Sequence, residues 1–227
     1  MKKIISIMML MIISLSVYAN DIYINQSGAT LDLDVLQDGQ NNTIGSSSTA
    51  SSVIGATTNL SITQIGDSNV MTFDVNGATY TGTFSVTGNS NNIDFNCDSQ
   101  GTNSSCGTAT ASIVWVGSSN DIDIDIGETS SATGATVSIT GASGSDSNVV
   151  LGTIDGNSAI LTLSINGDTN NFLVDIDGDG DSVGHTYVHT HTGSIADVDI
   201  TQSGIYDNMI TLTTSGDNHD IDIIQRD

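Results

Sequence analysis

A run of alternating carboxylates is the part of the sequence whose residue types best fit metal chemistry: Asp175-Ile176-Asp177-Gly178-Asp179-Gly180-Asp181. Oxygen ligands at alternate positions around a glycine match the first half of a calcium-binding loop. Thr186 stands where such a loop closes with a bidentate glutamate. The alternative is an acidic strand that runs into a turn at Gly178. Nothing in the sequence requires a cofactor. Calcium is the cofactor that this motif favours. The candidate ligands are Asp175, Asp177, Asp179 and Asp181.

Histidines at alternate positions form a second candidate site. In the segment 185–191, His185, His189 and His191 share one parity with Tyr187. On an extended strand the three imidazoles would project from one face, as a zinc or copper site could use. The alternative is an exposed polar strand.

Cys97 and Cys106 are the only cysteines, and nine residues separate them. In an exported protein this spacing predicts a disulfide that closes a small loop. No histidine lies nearby in sequence, and no basic residue is present there to lower a thiol pKa. Paired glutamates and phosphate-cradling glycine-rich loops with lysine do not occur in the sequence. We therefore expect no enzymatic activity.

The N-terminus reads as a secretory signal peptide over residues 1–19. Lys2 and Lys3 precede a mostly apolar stretch that ends on the small residue Ala19. We expect cleavage after Ala19 and export of the remaining chain through the periplasm to the outside of the cell. No segment after residue 19 is apolar enough to be expected to span a membrane. The remaining chain carries Arg226 against 26 acidic residues, which argues against nucleic acid as a partner.

The rest of the chain, residues 20–227, alternates apolar and polar residues in short runs. The segments 31–35, 121–126 and 220–223 each place Ile, Leu or Val on one parity and Asp on the other. Such alternation predicts strands with one dry face and one wet face. Glycines recur at steps of eleven residues, and many open a Gly-x-x-Asn turn. This pattern predicts an all-β solenoid of stacked strand-turn-strand repeats of about 22 residues in a single domain.

Several glutamines share the parity of the inward apolar residues. A lone buried amide would be costly, but stacked copies can hydrogen bond to one another as in the amide ladders of cross-β structure. Gln26 and Gln37 are one eleven-residue step apart.

The segments Gln26-Ser27-Gly28 to Asn42 and Gln64-Ile65-Gly66-Asp67-Ser68-Asn69 resemble curlin repeats, whose motif is Gln-x-Gly-x-x-Asn with a second Gln eleven residues later. Ile200 to Gly204 and Ile223 to Gln225 are similar to it. The resemblance implies a flattened β-solenoid that polymerises into an extracellular functional amyloid. The predicted ladder and turn residues are Gln26, Gly28, Gln37, Gly39, Asn42, Gln64, Gly66, Asn69, Gly88, Asn91, Gly167, Asn170, Gln202, Gly204 and Gln225.

The sequence departs from the family motif at several points. Val75 and Thr214 stand at glutamine positions, and His219 stands at an asparagine position. The phase is interrupted at 45–59, 96–112, 128–143 and 182–192, which we interpret as small inserted loops.

The most direct reading is a secreted structural protein that self-assembles into curli-like fibres for adhesion or biofilm matrix. By the same resemblance, its partners are further copies of itself, an outer-membrane secretion channel and a nucleating subunit. The alternative is a monomeric, acidic, calcium-binding surface adhesin built on a capped β-solenoid. An appendage protein of a virus is also compatible with the sequence.

Overall fold

The structure is a computed structural model that describes residues 21–39, 41–46, 48–97, 106–127, 134–156, 158–177, 185–204 and 208–226. Every regular element in these ranges is a β-strand. The strands are β1 Asp21–Ile22, β2 Asn25–Asp38, β3 Thr43–Ile44, β4 Ser51–Ile65, β5 Val70–Thr87, β6 Asn92–Cys97, β7 Cys106–Val116, β8 Asp121–Ile126, β9 Gly134–Gly141, β10 Val149–Asp155, β11 Ala159–Asn166, β12 Asn170–Asp177, β13 Thr186–Thr192, β14 Ala196–Ser203, β15 Met209–Ser215 and β16 Asp220–Arg226.

The strands stack in parallel into a β-solenoid with two walls, which confirms the predicted fold class. One wall, the aspartate wall, consists of β1, β3, the first parts of β2, β4 and β5, and then β6, β8, β10, β12, β14 and β16. The other, the threonine wall, consists of the second parts of β2, β4 and β5, and then β7, β9, β11, β13 and β15.

The two walls differ in their outward residues. Asp121, Asp123 and Asp125 face outward from β8, and carboxylates recur on β12, β14 and β16. The strands β7, β9, β11, β13 and β15 contain no acidic residue, and Thr and Ser fill most of their outward positions. One side of the described solenoid is therefore strongly anionic, and the other is neutral along these five strands.

The core is the narrow space between the walls. Inward residues alternate with outward ones along each strand, and Ile, Val and Leu fill most of the inward positions. Aromatic rings pack from wall to wall: Tyr80 stacks on Phe95 with 5.0 Å between ring centroids, and Phe84 lies 5.8 Å from Phe95. Because each coil buries its apolar side chains against the coils above and below, few large aromatic residues suffice.

Equivalent residues of successive coils are not spaced evenly. Hydrogen-bonded asparagines of neighbouring coils are separated by 27, 22, 29, 28 and 22 residues. The 22-residue repeat therefore describes the shortest coils, and the others carry extra residues. Parts of the four interrupted segments are regular: residues 51–59 lie in β4, 106–112 in β7, 134–141 in β9 and 186–192 in β13.

Glycines at the corners let successive coils approach closely. A side chain at Gly77 would collide with the backbone carbonyl of Gly55, and one at Gly88 with the carbonyl of Gly66. Gly88 also has a φ of 140°, which L-amino acids with side chains rarely adopt. The eleven-residue rhythm thus corresponds to two glycine columns, one at each corner. Gly28, Gly55 and Gly77 of one column lie within β2, β4 and β5.

The disulfide between Cys97 and Cys106 joins the end of β6 to the start of β7, across the corner between the walls. Within the described ranges, we find no helix of the length and apolar character needed to cross a membrane.

Candidate functional site

The Gly-x-x-Asn turns form a continuous asparagine ladder along one corner. Most of these asparagine side chains close their own turn, as when Asn69 Nδ2 donates to the Gly66 carbonyl oxygen at 2.8 Å. Asn148, whose turn begins at Ser145, instead donates its Nδ2 to Asn170 Oδ1 at 3.0 Å. Along the ladder, an asparagine Oδ1 accepts the backbone N–H of the asparagine one coil below, as Asn69 Oδ1 does from Asn42 at 2.9 Å. The ladder comprises Asn42, Asn69, Asn91, Asn120, Asn148 and Asn170.

The third residue of each turn lies in the left-handed region. Asn, Ser or Thr occupies most of these positions, with φ near 60°. Ile195, with φ 61°, is the exception, and a β-branched apolar side chain is strained there. Ala196 follows it in place of the ladder asparagine. The turn at 193–196 therefore keeps the backbone path but lacks both favourable side chains.

The predicted glutamine ladder exists as two separate pairs. Gln64 Nε2 donates to Gln37 Oε1 at 2.8 Å on the threonine wall. Gln225 Nε2 donates to Gln202 Oε1 at 3.3 Å on the aspartate wall. Gln26 lies opposite Val53 rather than another glutamine. The structure thus places one pair at each end of the solenoid.

Three histidines, two in β13 and one directly before it, point into the core. His185, His189 and His191 are fully buried, so the exposed polar strand considered above is wrong. Tyr187 Oη and His189 Nδ1 lie 3.0 Å apart, and His191 Nε2 donates to the Gly167 carbonyl oxygen at 2.8 Å. The alternation in the sequence predicts that these side chains share one face of the strand, but not that this face points into the core. The signal was present in the outward Thr186, Thr190 and Thr192, which match the outward threonines of neighbouring strands.

Burial makes the imidazoles of His189 and His191 favour the neutral form. Burial, with a smaller contribution from the neighbouring His191, lowers the pKa of His189 to about 3. Burial also lowers the pKa of His191, and His219 adds to this, while the Gly167 hydrogen bond and Asp168 oppose it. The His191 and His219 rings lie 5.3 Å apart. Protonation of this cluster would therefore place like charges in an apolar interior.

The calcium candidates divide between described and undescribed residues. Asp175 and Asp177 project outward from β12, whereas Asp179 and Asp181 lie outside the described residues. Desolvation, and then the charge of Asp177, raises the pKa of Asp175. Across the part of the chain that the structure describes, no three His, Cys, Asp or Glu side chains are grouped so as to hold a metal ion. Calcium binding at this segment stays a prediction.

Carboxylates stack between coils on the aspartate wall. Asp94 lies in register with Asp123, and Asp199 with Asp222. Desolvation and the nearby Asp74 and Asp121 carboxylates raise the pKa of Asp94. Desolvation and the carboxylates of Asp197, Asp222 and Asp220 raise that of Asp199. Stacked anions of this kind are stabilised by bound cations or by protons.

Both ends of the described solenoid are open. All seven residues of β16 are exposed, including Ile221 at 37% and Ile223 at 47%, although their register partners Val198 and Ile200 are buried. At the other end, the inward residues Leu31 and Leu33 are only partly buried. The last coil therefore displays core side chains, and β16 pairs on one edge with β14.

No protein-family model, curated protein or solved structure matches this chain.

Proposed function

We propose that this chain is a secreted structural protein that stacks end to end into curli-like extracellular fibres, with a role in adhesion or biofilm matrix and no catalytic activity. The observation that most supports this proposal is the pair of open ends. The inward side chains of β16 are exposed where equivalent residues one coil earlier are fully covered.

The energetics of the C-terminal end favour an added coil. Burying an Ile or Leu side chain contributes about 1.5 to 3 kcal/mol, and β16 exposes Ile221 and Ile223 on its inward side. An edge strand also presents unpaired backbone groups that pair readily with another chain. A further copy that covers this end would satisfy both, by the stacking that cross-β assemblies use.

The remaining parts of the proposal rest on the curlin resemblance. By that analogy, an outer-membrane secretion channel would export the chain, and a nucleating subunit would offer the first template edge. Within one molecule, the asparagine ladder joins neighbouring coils through five bonds of 2.9 Å from a backbone N–H to a side-chain Oδ1. It ends at Asn170, so contacts between copies would depend on the strands and their core side chains.

The monomeric, calcium-binding adhesin is favoured by one observation, the stacked carboxylates of the aspartate wall. The raised pKa of Asp94 and Asp199 means that a bound cation would relieve repulsion there. This alternative needs covered ends, however, and the exposed interior of β16 is the opposite arrangement. We therefore place it second.

Electron microscopy and fibre diffraction of the exported, purified chain test the proposal, with and without millimolar calcium. We expect unbranched fibrils with a meridional spacing of about 4.7 Å, the distance between paired strands. Soluble, monodisperse rods under both conditions would contradict fibre formation and support the adhesin.

A further inference from the structure

The two walls of the described solenoid contain different numbers of strand layers. The chain enters on the aspartate wall at β1 and leaves on the same wall at β16. Counted over the described residues, that wall has nine layers and the threonine wall has eight. The described solenoid, from β1 to β16, is therefore a whole number of coils plus one half.

This extra half coil restricts how a second copy can stack. In the same orientation, residues 21–28 of the next copy would pair with β16, because both belong to the aspartate wall. Residues 30–38 of that copy would then lie two layers above β15 instead of one. The threonine wall would lack a strand at every junction, with unpaired backbone groups on both sides of the gap.

We infer that successive copies are related by a half turn about the solenoid axis; this inference rests on the proposed fibre assembly. Residues 30–38 of the next copy then pair with β16, and residues 21–28 pair with β15. Each wall gains one strand directly above its last one, so both ladders continue without a gap. The occupant of the open end is a second copy of this chain.

The sequences of the two facing strands support this pairing. β16 reads Asp-Ile-Asp-Ile-Ile-Gln-Arg over 220–226, and residues 32–38 read Asp-Leu-Asp-Val-Leu-Gln-Asp. In this register, Ile221 and Ile223 meet Leu33 and Val35 inside the core. Outside it, Ile224 (44% exposed) meets Leu36 (69% exposed). Apolar residues that are exposed in one copy would thus cover each other.

The register also explains why the glutamines occur as two terminal pairs. Gln225 would lie beneath Gln37 of the next copy, which joins the pair Gln202 and Gln225 to the pair Gln37 and Gln64. In both existing pairs the upper glutamine donates its Nε2 to the Oε1 below. The same donor direction across the junction would give one ladder of four.

Charges at the junction are mixed. Arg226, the only cation after Lys3, would lie beneath Asp38, which gives one favourable pair. Asp220 and Asp222 would lie beneath Asp32 and Asp34, which repel. Because these outward carboxylates face water, cations can screen them. In the unrotated stack Arg226 would instead meet Ser27.

Paired cysteines distinguish the two stacks. Neighbouring strands lie about 4.8 Å apart, within the range that a disulfide spans. The variant Ile224→Cys with Leu36→Cys places thiols together only in the half-turn stack. The matched control, Ile224→Cys with Asn25→Cys, places them together only in the unrotated stack. All three positions are outward, so we expect both variants to fold.

After assembly and mild oxidation, we expect the variant with cysteines at 224 and 36 to give a ladder of covalent oligomers on non-reducing gels. The variant with cysteines at 224 and 25 should give none. A ladder for 224/25, or fibres without either ladder, would overturn the half-turn stack while fibre assembly stands. Absence of any assembly by either variant and by the unaltered chain would overturn both proposals.

Helical reconstruction of fibres of the unaltered chain gives an independent readout. Each copy adds eight and a half layers of about 4.8 Å, so we expect a rise of about 41 Å per subunit. The rotation per subunit should be close to 180°, apart from the cumulative strand twist. A rise of about 43 Å with rotation explained by twist alone would indicate the unrotated stack.

Discussion

Asn120 shows how a single residue ties two coils together. Its Oδ1 accepts the buried backbone N–H of Asn91 at 2.9 Å, and its Nδ2 donates to the Gly117 carbonyl oxygen at 3.1 Å. Asn120→Ala removes these two bonds and a third, from Asn120 Nδ2 to Asn148 Oδ1 at 3.1 Å, and it leaves the Asn91 N–H without an acceptor. We expect a loss of about 2 to 4 kcal/mol in the free energy of unfolding.

Urea denaturation measures this loss, with Asn92→Ala as the matched control. Asn92 is exposed at the start of β6, one residue after a ladder asparagine. An equal effect of the two substitutions would contradict the ladder as a source of stability.

Ile195 offers the opposite experiment, because its left-handed backbone is strained. Ile195→Asn replaces it with a residue that tolerates φ near 60°, so we expect a gain of about 1 kcal/mol in the free energy of unfolding. Thermal unfolding gives the measurement. Ile160→Asn, which alters an exposed isoleucine within β11, should give no gain. A fall in stability for Ile195→Asn would show that its side chain makes a compensating contact.

At the scale of elements, the C-terminal strands carry a pH response. The unfolded chain binds a proton at His189 near pH 6.5, whereas the folded pKa is about 3. Stability is therefore highest above pH 6.5 and falls as the pH drops towards 3. At pH 5, His189 alone lowers the free energy of unfolding by about 2 kcal/mol relative to its value at higher pH. His191 acts in the same direction, although Asp168 partly offsets it.

Hydrogen exchange at pH 7 and pH 5 locates this effect, after correction for the intrinsic exchange rates. We expect protection to fall in β13 and β15, which pair with each other, and to persist in β6 and β8. In His189→Gln the loss in β13 should be smaller. A uniform loss along the solenoid, unchanged in that variant, would contradict the histidine cluster as its cause.

The elements show which part of the fold the sequence could predict. Alternation in segments such as 121–126 predicts the strand and its inward face, because burial of one parity is a local consequence of strand geometry. The spacing between coils was less predictable. Extra residues between the strands leave the strands in register. The hydrogen bond from Asn91 to Asn120 therefore has the same length, 2.9 Å, as those across the 22-residue steps.

The site was predicted less completely than the fold. The side chains of Gln37 and Gln64 stack, as the sequence predicts. Gln26 does not stack on a glutamine, because the residue in register with it in the next coil is Val53. Pairing between coils depends on register over more than 20 residues, and local pattern alone does not determine that register. The burial of His191 has the same origin, since its surroundings come from other coils.

At the scale of the whole molecule, the half-turn stack predicts a charge rescue. Arg226→Asp would place carboxylates on both sides of the junction at Asp38, so we expect slower assembly, measured by fibre light scattering. Asp38→Arg in the same chain restores an opposite pair and should restore the rate. Asp38→Arg alone, which faces Arg226, should also be slow. Failure of the double variant to recover, with both single variants slow, would argue against this contact.

Calcium is expected to accelerate assembly, because the acidic residues outnumber the basic ones by 26 to 3 in the full sequence and the junction stacks like charges. Millimolar calcium should shorten the lag phase of fibre growth more than sodium at equal ionic strength. Kinetics indifferent to both ions would contradict this mechanism. Lowering the pH towards 4 would also neutralise carboxylates, but protonation of the buried His189 and His191 would destabilise the folded chain.

The unlike walls of the solenoid determine the surface pattern of the proposed fibre. With a half turn between copies, an anionic segment of nine layers, about 43 Å, and a largely neutral segment of eight layers, about 38 Å, would alternate along either side of the filament. The filament would have no single charged flank. Lateral association through divalent cations would then be periodic, so bundles of these fibres should show a banding repeat of about 82 Å, two subunits long.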